Sequence, residues 1–331
     1  MNMKKVHIIG AGRMGQGMAL AFIQGGLPVV LIDVKQRSPE DGLSYTAQVR
    51  NAVSRELQAK VELGRLTNTQ VQVALARLTV LSREGCEASL AEARYLFEGV
   101  PEVLDMKREL FAWLGGCIPA DARVASTTST FLVSELATFI NEPQRFINAH
   151  WLNPADLIPL VEISRSEITD QAVVSDMVEL LQSIGKVPVV CSASPGYIIP
   201  RIQAQAMNEA ARMVEEGVAS AKDIDKAIRV GFGLRFAVLG LLEFIDWGGG
   251  DILFYASRYL SGQLGERFEC ADVVRDNMAN GRNGLRDGQG FYDYTGQDID
   301  AYKAQRMQEF FRLLDATGLS ARFDQALENN Y

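Results

Sequence analysis

Residues 4–33 read KKVHIIGAGRMGQGMALAFIQGGLPVVLID, and the order of their parts decides the fold. Residues 4–9 form a short run rich in β-branched side chains that stops at a glycine. Beyond it, Met14, Met18, Ala21 and Phe22 recur at helical spacing. Residues 27–33 are a second apolar run of strand length. Strand, glycine turn, helix and strand together form the opening βαβ unit of a doubly wound sheet.

The turn itself carries chemistry. Gly10, Gly12 and Gly15 permit a tight turn, close approach of backbone to a pyrophosphate, and close packing of helix on strand. The helix that starts there presents unbonded N–H groups to phosphate. Gly10, Gly12, Arg13, Met14 and Gly15 are therefore candidate cofactor-binding residues. Asp33 closes the second strand, where a carboxylate accepts bonds from ribose hydroxyls and repels a 2′-phosphate. That favours NAD over NADP, while Lys35 and Arg37 nearby pull the other way.

Outward from this unit, residues 40–77 read as mainly helical, with Leu57, Val61, Leu63 and Leu66 among many charges. Further strands are predicted at 78–81, 95–98, 123–126, 146–149 and 187–190. Helices are predicted between them, at 104–114 and 173–184. The alternation ends near residue 190, before the Ser-Pro-Gly turn at 194–196. Helical patterns then cover 203–216, 221–230 and 303–314, without strand-like runs. The expected fold is α/β: a Rossmann-like doubly wound sheet in residues 1–192, followed by an all-α domain in 193–331 for substrate and dimerisation. Residues 320–331 read as a tail or as a helix lying on a partner subunit.

Composition excludes several classes. The 331 residues are 47% hydrophobic and 22% charged, as in ordinary globular proteins, with a formal charge of −8. An acidic chain is a poor partner for nucleic acid or anionic membrane, which both demand basic surface. An anionic substrate would need local Arg or Lys. Cys86, Cys117, Cys191 and Cys270 form no metal-ligand spacing, so no metal is expected. Reduced thiols, the lack of a bilayer-length apolar run and the lack of a signal sequence lead to an expected cytoplasmic location.

The chain has two histidines, His7 and His150. His7 alternates within the first strand and reads as a packed residue. His150 ends the run RFINAH, at the carboxyl end of a strand, where open α/β sheets bind ligands. Glu162 follows on the next apolar run, and a carboxylate beside imidazole fixes its tautomer and stabilises imidazolium. Oxidation of an alcohol by hydride transfer needs a base for the hydroxyl proton, and this pair supplies one. Ser129, in VASTTST, is a candidate donor to the substrate oxygen; a serine in a polar turn also serves as a turn former.

Taken in order, GAGRMGQGMA, FEGVPEVLDMKRELF, ASTTST, INAHWLNP, PLVEI, PGYIIPRIQ and DGQGFYDY resemble the 3-hydroxyacyl-CoA dehydrogenase superfamily from residue 5 to about 294. The resemblance implies a catalytic set of Ser129, His150 and Glu162, with Asn153 at the substrate. Glu102 joins the cofactor-binding candidates. It also implies a homodimer formed through the helical domain, where residues 236–247 are strongly apolar.

Two stretches depart from the family pattern. Pro200 stands where the family turn has a substrate-binding asparagine, and proline has no side-chain donor and no N–H. Residues 231–249, GFGLRFAVLGLLEFIDWGG, look more like the branch acting on small free hydroxy acids, with L-gulonate 3-dehydrogenase and lambda-crystallin, carnitine dehydrogenase and pyridine-carboxylate dehydrogenases. Arg201 and Arg235 are then candidate ligands for a substrate carboxylate, since guanidinium matches that geometry bidentately. Trp151 and Trp247 read either as core or as pocket walls. Three readings follow: an NAD-dependent dehydrogenase of a small β-hydroxy acid, a 3-hydroxyacyl-CoA dehydrogenase, or a catalytically silent NAD-binding structural protein.

Overall fold

The structure is a computed structural model and describes residues 5–320. Residues 321–331, most of the stretch read as a tail or partner-binding helix, lie outside the described residues.

Eight strands form one sheet: β1 (Val6–Ile9), β2 (Val29–Asp33), β3 (Leu78–Ser82), β4 (Tyr95–Glu98), β5 (Arg123–Ser126), β6 (Phe146–Trp151), β7 (Leu160–Arg165) and β8 (Val187–Ser192). Their order is β3-β2-β1-β4-β5-β6-β7-β8. Neighbours pair in parallel except β6 and β7, which are antiparallel. The chain reverses its winding between β1 and β4, and a doubly wound sheet binds ligands at that switch point.

Helices cover both faces, so the central strands are apolar on both sides. Ile8 packs with Met18, Phe22 and Leu31, while its neighbour Ile9 packs with Ile32, Leu96 and Phe111 on the opposite face. Residues 40–77 form two helices, Pro39–Glu62 and Asn68–Ala76. Ser38 accepts the Asp41 N–H at the first start, and Thr67 with Gln70 forms a reciprocal cap at the second. Leu63, read as part of the apolar stripe, is 75% exposed: it lies at the break between the helices, past the end of the packed face. Trp151 belongs to the core, edge-on to Phe22 and Phe97, and is not a pocket wall.

His7 is fully buried beside the Ser89 hydroxyl, 3.0 Å away. Burial, helped by Lys5, pushes its imidazole down to about 4 from an ordinary 6.5. Its stabilising effect is complete above pH 6.5, where both folded and unfolded chains hold it neutral. Between pH 6.5 and 4 the unfolded chain takes up a proton that the folded chain refuses. That costs about 3 kcal/mol. His7→Gln is expected to flatten the fall in urea midpoint between pH 7 and 4.5; an unchanged difference between wild type and variant across that range would show that His7 does not carry it.

The described residues divide into two compact units, the first ending at Met207 and the second starting at Asn208. The second is helical, with Ala221–Ala227, Leu241–Gly248, Gly250–Leu264, Asp272–Ala279 and Ile299–Thr317 as its main helices. The pattern 221–230 ends as a π-helical turn, Ile228–Gly233. Within this unit the segment DGQGFYDY wraps the buried carboxylate of Asp246. Phe291 and Tyr292 donate their N–H groups to it at 2.9 Å, and the Tyr294 hydroxyl donates at 3.2 Å. A Cβ on Gly290 would stand 2.1 Å from Asp246 Oδ1, so only glycine allows the wrap. Trp247 lies beside Tyr302.

Candidate active site

At the carboxyl edge of β1 the three glycines have three different physical reasons. Gly10 has φ +104°, and a Cβ there would meet Gly99 O at 2.9 Å. A Cβ on Gly15 would stand 1.8 Å from Gly10 O, so the helix Arg13–Gln24 can press against the turn only through glycine. Around Gly12 there is open space, and its backbone has no side-chain cap. The start of that helix faces a cleft of about 850 Å³. Arg13, Met14, Asp33, Lys35, Arg37, Tyr45, Glu102 and Ser129 also line this cleft. These residues fit a dinucleotide: an uncapped helix start for phosphate and a buried carboxylate at the end of β2 for ribose hydroxyls.

The far end of the cleft is built on two carboxylates. Glu98, at the end of β4, is fully buried and pairs with Lys107, whose Nζ donates to both oxygens at 2.9 Å. Ser126 Oγ at 2.5 Å and the Val100 N–H at 2.7 Å complete its shell. Glu102 accepts from the Ser129 and Thr130 N–H groups, both at 3.0 Å, from the Thr130 hydroxyl at 2.8 Å and from the Thr128 hydroxyl. Burial alone would raise the Glu102 pKa; the threonine donors and Lys107 outweigh it and hold the carboxyl below its ordinary value. Glu102 thereby shapes the turn that presents Ser129, which is exposed to the cleft.

His150 and Glu162 are direct partners across the antiparallel β6–β7 ladder. Side chains of paired residues lie on the same face, and here His150 Nδ1 donates to Glu162 Oε2 at 2.8 Å. The other oxygen of Glu162 accepts the N–H groups of Ile198 and Ile199, each at 2.9 Å, at the start of the helix Ile199–Glu215. The carboxylate therefore serves the imidazole with one oxygen and a helix start with the other. With Nδ1 as the donor, Nε2 keeps its lone pair and can accept a proton.

Tyr197 joins the two halves of this arrangement. Its ring lies parallel to the His150 imidazole, with centroids 5.1 Å apart. Its hydroxyl donates to Thr128 O at 2.8 Å, next to Ser129, and accepts from Asn148 Nδ2 at 2.9 Å. Lys107, Asn148, Thr128 and Tyr197 were not singled out in the sequence reading. Their signal lay inside quoted motifs; Asn148, Thr128 and Tyr197 act through partners distant in sequence, whereas Lys107 pairs with Glu98 nine residues away in the same motif. Pro200, the second residue of its helix, needs no N–H there, so proline changes the chemistry of the turn without cost to the helix. Asn153 is exposed in the loop after β6. Arg201 is exposed near the start of its helix. Arg235, in the helical unit, donates through Nε to Gly231 O at 3.1 Å and lies over the Phe244 ring.

A dinucleotide cleft on a doubly wound sheet, followed by a helical unit, defines an NAD-dependent oxidoreductase. The chain belongs to the 3-hydroxyacyl-CoA dehydrogenase family: the family's NAD binding domain matches residues 5–194 and its C-terminal domain matches residues 196–294. It is a dehydrogenase of the kind that acts on CH–OH groups. The chain is 30% identical to 5-formyl-3-hydroxy-2-methylpyridine 4-carboxylate 5-dehydrogenase of Mesorhizobium japonicum, over 92% of this chain and 96% of the relative. It is 33% identical to lambda-crystallin of Oryctolagus cuniculus, over 78% of each chain. A 3-hydroxyacyl-CoA dehydrogenase structure from Archaeoglobus fulgidus matches with a TM-score of 0.75 and 29% identity, covering 96% of this chain and 100% of the other. Among the described residues no helix is long and apolar enough to cross a membrane.

Proposed function

We propose that the chain oxidises the hydroxyl of a small β-hydroxy acid, with His150 as general base. The observation that carries this is the His150–Glu162 pair, 2.8 Å apart, with its carboxylate held on the other side by a helix start. His150 Nε2 takes the hydroxyl proton as the carbonyl forms. Glu162 holds the ring in the tautomer that leaves Nε2 open and stabilises the imidazolium that results. Ser129 Oγ donates to the substrate oxygen, and Asn153 binds the substrate beyond it. NAD, when bound, supplies the hydride acceptor. Gly10, Gly12, Arg13, Met14, Gly15, Asp33 and Glu102 would hold it, and Glu102 also keeps the Ser129 turn in place.

Three points support a free acid as substrate. Pro200 lacks the donor of the family asparagine, Arg201 and Arg235 offer cations, and the Mesorhizobium relative acts on a pyridine carboxylate by its name. The rival reading, a hydroxyacyl-CoA substrate, has the family description and the Archaeoglobus structure in its favour. A silent structural role has only the lambda-crystallin likeness and Pro200, and the complete Ser129, His150 and Glu162 set weighs against it. A steady-state NADH assay over free hydroxy acids and hydroxyacyl-CoAs separates all three; no turnover on any of them would favour the silent role. A cytoplasmic location belongs to this reading, supported by four cysteines that all stand as free thiols.

The reading includes a two-fold homodimer, the commonest oligomer. Ile252, Tyr255 and Tyr259, on one helix of the second unit, are more than half exposed. Light scattering at micromolar concentration is expected to give twice the 36.4 kDa chain mass. A monomer mass would count against the dimer.

A further inference from the structure

The dinucleotide cleft is lined by three cations, Arg13, Lys35 and Arg37, and by the carboxylates of Asp33 and Glu102. Arg37 is the one held in place. Its Nε donates to Asp33 Oδ2 at 2.6 Å, and its guanidinium carbon lies 3.9 Å from the centre of the Tyr45 ring. Tyr45 in turn reaches Ala11 O of the glycine turn at 3.5 Å. Among the described residues no acceptor takes the two terminal amino groups of Arg37, so four of its five donors are unused. The Asp33 side chain is 8% exposed and that of Arg37 21%, so the pair is partly shielded from solvent.

We propose that Arg37 is a latent ligand for the 2′-phosphate of NADP(H), held in check by Asp33. The proposal rests on the reading of this cleft as the dinucleotide site. Asp33 acts twice. Its charge repels a 2′-phosphate, and its hydrogen bond occupies Arg37. Removing Asp33 ends both effects at once. Tyr45 keeps the guanidinium over the cleft by cation–π attraction, so Arg37 is not lost to solvent when its partner goes. A planar fork of donors beside the end of β2 is then free for a 2′-phosphate, an anion whose geometry arginine matches. The cofactor preference of this chain is thus set by the competition within one ion pair, and not by the absence of a phosphate-binding group.

The test is calorimetric titration of NADH and NADPH into four proteins: wild type, Asp33→Ala, Arg37→Ala and the double variant, with circular dichroism as the check on folding. Wild type is expected to bind NADH at least ~10-fold tighter than NADPH. Asp33→Ala is expected to reverse this order and to bind NADPH at least ~10-fold tighter than wild type does. The double variant is expected to lose that gain, and Arg37→Ala alone is expected to keep the preference for NADH. A folded Asp33→Ala protein with no gain for NADPH overturns the proposal. A gain that survives in the double variant also overturns it, because Lys35 or Arg13 then holds the phosphate. Failure of wild type to bind NADH overturns the reading of the cleft itself, and the proposal with it.

Discussion

His150→Ala is expected to lower kcat by at least ~10²-fold, the contribution of a positioned general base, while NADH affinity stays near wild type. The two effects separate because the imidazole and the nucleotide cleft belong to different strands. His150 lies on β6, whereas the glycines follow β1 and Asp33 ends β2. The buried imidazole stacks on the Tyr197 ring, whereas Trp151, its neighbour in the chain, is locked among Phe22 and Phe97 and stays in the variant. Alanine therefore removes the base without removing the floor of the site. Glu162→Gln keeps the shape of the partner and loses its charge. It is expected to cost kcat as well, since an amide can bond Nδ1–H but does not stabilise imidazolium. Near-normal turnover in His150→Ala would take the residue out of the mechanism. A parallel loss of NADH affinity would mean that the substitution damaged the fold.

The second large effect concerns substrate charge. A coenzyme A thioester is long and uncharged at its reacting end; a free hydroxy acid is short and carries a carboxylate beside the reacting carbon. The first needs neutral donors, and Pro200 has none. The second needs a cation, and deleting one partner of a desolvated Arg–carboxylate pair costs about 2–5 kcal/mol. Free hydroxy acids are therefore expected to exceed 3-hydroxybutyryl-CoA in kcat/KM. Arg235 is exposed in its helical unit, so the bound acid would itself have to desolvate the pair; with that, Arg235→Ala is expected to raise KM for the acid by about 30-fold, the lower end of that range. Arg201→Ala is the companion measurement, because Arg201 sits in the turn that departs from the family pattern. Pro200→Asn alone is expected not to create thioester activity, since residues 231–249 differ too. A higher kcat/KM for 3-hydroxybutyryl-CoA would give the site to the thioester reading.

The fold was legible where its causes are local. Gly10 by its positive φ and Gly15 by its approach to Gly10 O exclude a Cβ, whereas Gly12 opens on space. All three announce a turn by their spacing after a β-branched run, which needs only the neighbouring chain. Alternating apolar runs announced most of the strands for the same reason. The strand β7 was visible only as an apolar run carrying Glu162, and its antiparallel direction was not legible. Nothing in six residues states which neighbour a strand will pair with. The helices Gly250–Leu264 and Asp272–Ala279 were passed over, because their exposed faces carry aromatic and aliphatic residues that blur the helical period.

The sequence by itself determined that this protein carries a nucleotide turn, an acidic end to its second strand and a histidine at a strand terminus, each a matter of residue type and short spacing. Only the tertiary structure decided how they act. Antiparallel pairing of β6 with β7 sets His150 against Glu162, and a helix start 36 residues further on takes the second oxygen of that carboxylate. Tyr197 reaches 69 residues back to the carbonyl of Thr128. Arg37, which read as a cation opposing Asp33, became its partner, because the fold brings Tyr45 beneath it. These are long-range contacts whose energies depend on distance and burial, and neither quantity exists until the chain has folded.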